Sequence, residues 1–175
     1  WLPRLLPPEV TVMLAASSPV RDWLSYSGGG LFGVRCFGFR GASGIDGTLS
    51  LAMGLAEALG PTVLVCGDLA LLHDSNGWLF AQSNSPPLVV ILIDNGGGGI
   101  FDHLKLEALE SKNFDQLFSM QQDVDFLLLA DAHGIPQRQV ASLGDLQSSL
   151  EWALARNDPS LIRVCTNPQN DALLR

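Results

Sequence analysis

The sequence predicts an α/β fold: a doubly wound parallel sheet with helices on both faces. Two apolar runs, Thr62–Cys66 and Leu88–Ile93, are continuous rather than alternating, as strands buried on both sides require. Each run delivers a small polar cluster, Gly67-Asp68-Leu69 and Asp94-Asn95-Gly96-Gly97. Strand-like and helix-like segments alternate along the chain, which predicts parallel strands joined by crossover helices.

Taken in order, Val10–Ala16 is an apolar strand candidate that follows Pro7-Pro8. Ser17-Ser18-Pro19 supplies a cap and a first-turn proline, so a helix is expected to run to about Ser25. Tyr26–Gly30 reads as a loop, and Val34–Phe39 as a short strand leading into a polar, glycine-rich segment. Asp46 or Thr48 can cap the next helix, whose apolar set is Leu49, Met53, Leu55, Ala56 and Leu59, and Gly60-Pro61 stops it. After Thr62–Cys66 a helix is expected over Asp74–Asn84, then the buried strand Pro87–Ile93. Ile100–Phe118 is mixed. Val124–His133 is a helix ended by Gly134-Ile135-Pro136, Asp145–Arg156 is another, and Leu161–Cys165 is the closing strand. No repeat, low-complexity tract or linker interrupts this pattern, so 1–175 is expected to be a single domain.

Composition narrows the function. At 175 residues and 47% hydrophobic, the chain can bury a substantial core. A net charge of −8 argues against nucleic-acid binding, which needs a basic face. The apolar run around Leu88–Ile93 is far too short to span a bilayer, and no export signal is visible, so a cytoplasmic location is expected. Cys36, Cys66 and Cys165 lack metal-ligand spacing and read as small buried hydrophobes in a reducing compartment. A chain that opens on Trp1 is expected to be a fragment with an amino-terminal part upstream.

Parallel strands ending side by side would bring Asp68 and Asn95 together at the carboxyl edge of the sheet. An oxygen-only pair there, with glycine backbone free to approach, suits a hard divalent cation that carries a diphosphate. Gly-Asp after a strand can equally cap a helix, and a glycine run can be only a turn. The two motifs together, in this order, favour the metal–diphosphate site. The loop 40–47, polar apart from Ile45, adds glycines and a helix start able to receive a phosphate.

Three strings now matter together: Arg40-Gly-Ala-Ser-Gly-Ile-Asp-Gly47, Gly67-Asp-Leu-Ala-Leu-Leu-His-Asp-Ser-Asn-Gly77 and Asp94-Asn-Gly-Gly-Gly-Gly-Ile-Phe101. They resemble the carboxy-terminal thiamine-diphosphate-binding domain of the MenD family, the 2-succinyl-5-enolpyruvyl-6-hydroxy-3-cyclohexene-1-carboxylate synthases of menaquinone and phylloquinone biosynthesis. The resemblance covers essentially the whole chain. It implies that Asp68 and Asn95 are side-chain ligands of Mg2+ or Mn2+, with Gly97 a backbone-carbonyl ligand. It implies that Gly67, Leu69, Ala70, Ile100 and Phe101 contact thiamine diphosphate, and that Ile45 holds the cofactor bent. Ser17, Arg21 and Arg40 would face the carboxylates of 2-oxoglutarate and isochorismate, a task that suits a guanidinium fork. By residue type alone, Arg21 on a helix would be a solvated surface cation. Asp94, Gly96 and Gly99 depart from the family pattern, changes expected to loosen cofactor contacts.

The implied activity is decarboxylation of 2-oxoglutarate and addition of the succinyl carbanion to isochorismate. Family members start it with a glutamate from an amino-terminal pyrimidine-binding domain, and Glu9, Glu57, Glu107, Glu110 and Glu151 match no such motif. The resemblance therefore implies half an active site, silent alone, within a homodimer or homotetramer. Rival readings are another thiamine-diphosphate carboligase, such as acetolactate synthase, and a noncatalytic metal- or nucleotide-binding module. The second is weakened by the lack of a P-loop or a GxGxxG after a strand.

Overall fold

The computed structural model describes residues 1–28, 33–39, 43–81, 87–103, 113, 115–167 and 170–171. Among them, one parallel sheet contains β1 (Thr11–Leu14), β2 (Arg35–Gly38), β3 (Thr62–Gly67), β4 (Leu88–Asp94), β5 (Gln137–Val140) and β6 (Ser160–Cys165). The strand order is β2-β1-β3-β4-β6-β5. The helices are α1 (Leu2–Leu5), α2 (Ser18–Tyr26), α3 (Thr48–Leu59), α4 (Asp68–His73), α5 (Phe126–Ala132) and α6 (Leu143–Leu154). Short 3-10 turns occupy Ser75–Phe80 and Gly99–His103, and a π-turn occupies Asp115–Ser119. No helix among the described residues is long and apolar enough to cross a membrane.

The central strands are apolar throughout because both of their faces are covered. Leu64 and Cys66 of β3 and Leu88, Val90 and Leu92 of β4 join the core with Leu49 and Ala52 of α3, Leu71 of α4 and Phe126 of α5. Val63 and Val65, with Val89 and Ile91, face the other way, toward Leu150 and Ala153 of α6 and the flanking Val20 and Trp23 of α2. Helices α2 and α3 thus lie on opposite faces. The chain leaves β1 for β2 on one side and returns to β3 on the other. This reversal between β1 and β3 opens a crevice at the carboxyl ends of the strands, where α/β sheets bind ligands.

Several expectations change. A helix over Asp74–Asn84 is replaced by α4, which starts directly at Asp68, and by the 3-10 turn Ser75–Phe80. Gly67 is still extended (φ −83°, ψ 167°), so the strand turns into helix without a connecting loop, and Asp74 is drawn away to another helix. Asn84 lies outside the described residues. Neither Asp46 nor Thr48 caps α3: its cap position is Gly47, and the Thr48 hydroxyl donates instead to the Ile45 carbonyl at 2.9 Å. Cys66 is buried as expected, but Cys36 and Cys165 are exposed. Cys36 lies on β2, an edge strand whose four residues are all exposed. Cys165 is the last residue of β6, beyond the buried part of that strand.

Candidate functional site

Three chain segments meet at the crevice. Ala16–Pro19 follows β1, Gly67–Ala70 joins β3 to α4, and Asn95 with Gly97–Phe101 follows β4. With Ser43, Ile45, Phe118 and Met120 they line a cleft of about 310 Å³. Register explains the convergence. Gly67 pairs with Ile93, so the residues after both strands emerge side by side.

Asp68 is the centre of this arrangement. It is only 3% exposed, and both carboxylate oxygens accept backbone amides. The Leu69 N–H donates to Oδ1 at 2.7 Å, and the Gly97 N–H donates to Oδ2 at 2.8 Å. The second bond spans 29 residues and ties the turn after β4 to the end of β3. Burial pushes the Asp68 carboxyl above its ordinary value, and the charge of Asp94 adds to that, while the amides of Leu69, Gly97 and Asn95 oppose it. The buried Cys66 thiol is raised as well, first by burial and then by the charge of Asp68.

The turn after β4 needs its glycines. Gly96 and Gly97 have φ of +83° and +143°, conformations that side chains rarely adopt. A Cβ on Gly97 would overlap the Ser119 carbonyl, and one on Gly98 the Phe118 carbonyl. The Gly98 N–H donates to the Ser119 carbonyl, which holds the π-turn against the glycines. Phe118 in turn packs edge-on against Phe101, with centroids 5.7 Å apart, and the pair forms an apolar wall of the cleft. Across the cleft, Ser17 carries φ +76°, one of two non-glycine residues with positive φ among those described. Such backbone is held only where its surroundings enforce it, and it concentrates at functional sites.

Beside this turn, Asp94 is 8% exposed and paired with Arg163 of β6. Its Oδ1 accepts the Gly96 N–H at 3.2 Å, and its Oδ2 accepts Arg163 Nε at 2.8 Å. Burial works against the charge on Arg163, but the hydrogen bond and charge of Asp94 outweigh it and hold the guanidinium above its ordinary value.

Ser17, Ile45, Gly67, Asp68, Leu69, Ala70, Asn95, Gly97, Ile100 and Phe101 all line the one cleft. Arg21 does not: it is exposed on α2 and absent from the lining. Arg40 lies outside the described residues. Arg163 had no role in the sequence reading, although a lone arginine inside the apolar strand Leu161–Cys165 is a signal that an anion awaits it. Asp94, a departure from the family pattern, takes part in an ion pair and binds the turn.

The donor set fits a hard cation. The Asp68 carboxylate is acceptor-only, with about four lone-pair sites, and the backbone amides do not use all of them. Asn95 adds an amide side chain in the same cleft. Among the described residues no group of three or more His, Cys, Asp or Glu could hold an ion alone, so a cation here would take further oxygens from a bound anion.

The family model described as thiamine pyrophosphate enzyme, C-terminal TPP binding domain, matches residues 12–164. The chain is 66% identical over 175 residues to the 2-succinyl-5-enolpyruvyl-6-hydroxy-3-cyclohexene-1-carboxylate synthase of Prochlorococcus marinus (strain MIT 9313), covering 100% of the chain and 30% of that protein. It is 63% identical over 171 residues to the synthase of the same name from Synechococcus sp. (strain CC9902), covering 98% of the chain and 30% of that protein. The chain therefore spans about 30% of the length of these relatives. The crystal structure of benzoylformate decarboxylase from Polynucleobacter necessarius shares the fold, with a TM-score of 0.75 at 17% identity over 95% of this chain and 32% of that one.

Proposed function

The chain belongs to the thiamine pyrophosphate enzymes as a C-terminal TPP-binding domain, and from that premise we propose that it is the diphosphate-binding part of a 2-succinyl-5-enolpyruvyl-6-hydroxy-3-cyclohexene-1-carboxylate synthase. The observation that carries the metal–diphosphate assignment is the buried Asp68 carboxylate, joined to the Gly97 amide in the cleft that Asn95 lines. Asp68 and Asn95 offer side-chain oxygens to Mg2+ or Mn2+, and Gly97 offers its carbonyl. Gly67, with open space where a Cβ would sit and a place in the cleft lining, leaves room for a diphosphate to approach. Thiamine diphosphate, when bound, supplies the electron sink for decarboxylating 2-oxoglutarate and passing its succinyl unit to isochorismate.

The chain's own residues bind, orient and exclude water. Ile45 is half-buried against the core and in the cleft wall, where it would support a bound cofactor. Ile100, Phe101 and Phe118 present apolar surface to its ring end, which keeps water from the reacting carbon. Ser17 offers a hydroxyl at the cleft from a backbone that the end of β1 holds fixed. Arg21 and Arg40 serve the substrate carboxylates. Support for the two substrates rests on the 66% identity to a synthase of that name. The rest of the polypeptide supplies a pyrimidine-binding domain with its glutamate, and the site is completed in a homodimer or homotetramer.

Titration of the full-length protein with thiamine diphosphate, with and without Mg2+, tests this reading. Tryptophan fluorescence is expected to report metal-dependent binding, and Asp68→Ala to weaken it by at least about tenfold, or 1.4 kcal/mol. Unchanged affinity in Asp68→Ala would sink the site. Metal-dependent binding without turnover of 2-oxoglutarate and isochorismate would favour another carboligase or a noncatalytic module.

A further inference from the structure

Two carboxylates grip successive amides of the turn after β4. Asp68 Oδ2 accepts the Gly97 N–H at 2.8 Å, and Asp94 Oδ1 accepts the Gly96 N–H at 3.2 Å. Both side chains are buried, so each charge acts in a medium less polarisable than water. Their partners differ. Asp68 accepts the backbone amides of Leu69 and Gly97, whereas Asp94 Oδ2 holds Arg163 through Nε at 2.8 Å and Nη2 at 2.6 Å. The Asp94 carbonyl also accepts the Thr166 N–H at 2.8 Å, so the end of β4 is clamped to β6 by backbone and side chain together. The charge of Asp125, the cap of α5, also acts on Arg163.

Resting on the metal–diphosphate reading above, we propose that Arg163 is a positioning residue that sets the charge of that site. By holding Asp94 in an ion pair, it offsets the charge of one of the two carboxylates at the turn and leaves Asp68 as the anion without a counter-ion facing the cleft. A bare divalent cation is drawn by every uncompensated carboxylate nearby, and a diphosphate is repelled by every one. A site with two such groups would collect metal and resist the cofactor. The ion pair strikes the balance that lets the cation arrive with its diphosphate. A pair with only an architectural role would, when broken, loosen the turn and weaken both ligands together. Opposite movement of the two affinities therefore marks the charge role.

The experiment uses the full-length protein and measures Mn2+ binding without cofactor by electron paramagnetic resonance. Thiamine diphosphate binding is measured at saturating Mg2+ by tryptophan fluorescence. Arg163→Gln is expected to tighten Mn2+ and weaken thiamine diphosphate, each by roughly tenfold. Asp94→Asn, which leaves Arg163 in place, is expected to shift both constants the other way. The double variant should bring both back toward wild type, so the charge series stays readable even where one single variant folds poorly. Parallel weakening of both ligands in Arg163→Gln, or no change in either variant, would overturn this inference. If Asp68→Ala meanwhile loses the cofactor, the site reading stands without it. Wild-type protein that binds neither ligand would overturn both.

Discussion

Asp74, at the end of α4, caps the start of α3: its Oδ2 accepts the Ser50 N–H at 2.7 Å and its Oδ1 the Ser50 hydroxyl at 3.2 Å. Helix α3 has no cap of its own, because Gly47 in the left-handed region carries no side chain to offer. A carboxylate from elsewhere in the chain satisfies an orphan amide and meets the positive end of the helix. The same first turn holds Ile45 through the Thr48 hydroxyl, so the cap also steadies one wall of the cleft.

Asp74→Ala is accordingly expected to cost about 1–2 kcal/mol of stability. Urea unfolding of wild type and variant measures it, and an equal midpoint and slope would show the cap to be idle.

Gly98→Ala places a methyl group against the Phe118 carbonyl, which is backbone and cannot rotate away. The π-turn must shift, at about 1–3 kcal/mol, and Phe118 with it, so the melting temperature and cofactor affinity should both fall. Gly54→Ala is the contrast. That glycine is exposed within α3 with nothing near a new Cβ, so the substitution should stabilise by about 0.5–1 kcal/mol. Thermal melts of the two variants should move in opposite directions, and a shared direction would contradict the packing described here.

Arg21→Ala and Arg40→Ala in the full-length protein should impair substrate use more than cofactor binding. Each leaves a substrate carboxylate without its charged partner, a loss of about 2–5 kcal/mol if the pair is desolvated. Arg21 is solvent-exposed on α2 in this chain, so its effect depends on the remaining polypeptide closing over it. Steady-state kinetics with 2-oxoglutarate and isochorismate varied separately would assign each arginine. Unaltered Michaelis constants and turnover in both variants would dismiss the roles.

The 175-residue chain alone should fold and yet be catalytically silent. Both faces of its central strands are covered by its own helices, so its core does not wait on another domain. Circular dichroism should show a cooperative melt. Incubation with thiamine diphosphate, Mg2+ and both substrates should release no carbon dioxide, and turnover near that of an intact synthase would place the catalytic base inside these residues.

The central strands were legible because burial on both faces leaves an unbroken apolar run, and Thr62–Cys66 and Leu88–Ile93 are such runs. The edge strand β5 was not, since Gln137, Arg138 and Gln139 carry no apolar signal and pair on one side only, through the register with β6. The helix at Asp68 was misplaced because its first residue is also the site carboxylate, and polar chemistry there masked helical start chemistry. Asp68 and Asn95 in the cleft were legible from carboxylate and glycine spacing after strands, whereas Ala70, Ile100 and Phe101 followed only from the family resemblance. Contacts between distant segments were not: nothing local to Asp74 points to Ser50, and nothing local to Arg163 points to Asp94.

The place of β6 in the sheet has a consequence for biosynthesis. It is the last strand made among those described, yet it lies between β4 and β5 rather than at a margin. On the ribosome, β4 has one side unpaired until Ser160–Cys165 emerges from the exit tunnel. β5, already synthesised, must leave a gap and wait for its neighbour. The growing chain thus carries an open sheet edge from the completion of β4 until β6 is made, the condition in which nascent chains draw on chaperones. Arg163 arrives with that strand, so Asp94 lacks this counter-ion until β6 is made. A ribosome that stalls or terminates before Ser160 would release a polypeptide with its glycine turn formed from sequence already present, but with the central layer still unclosed.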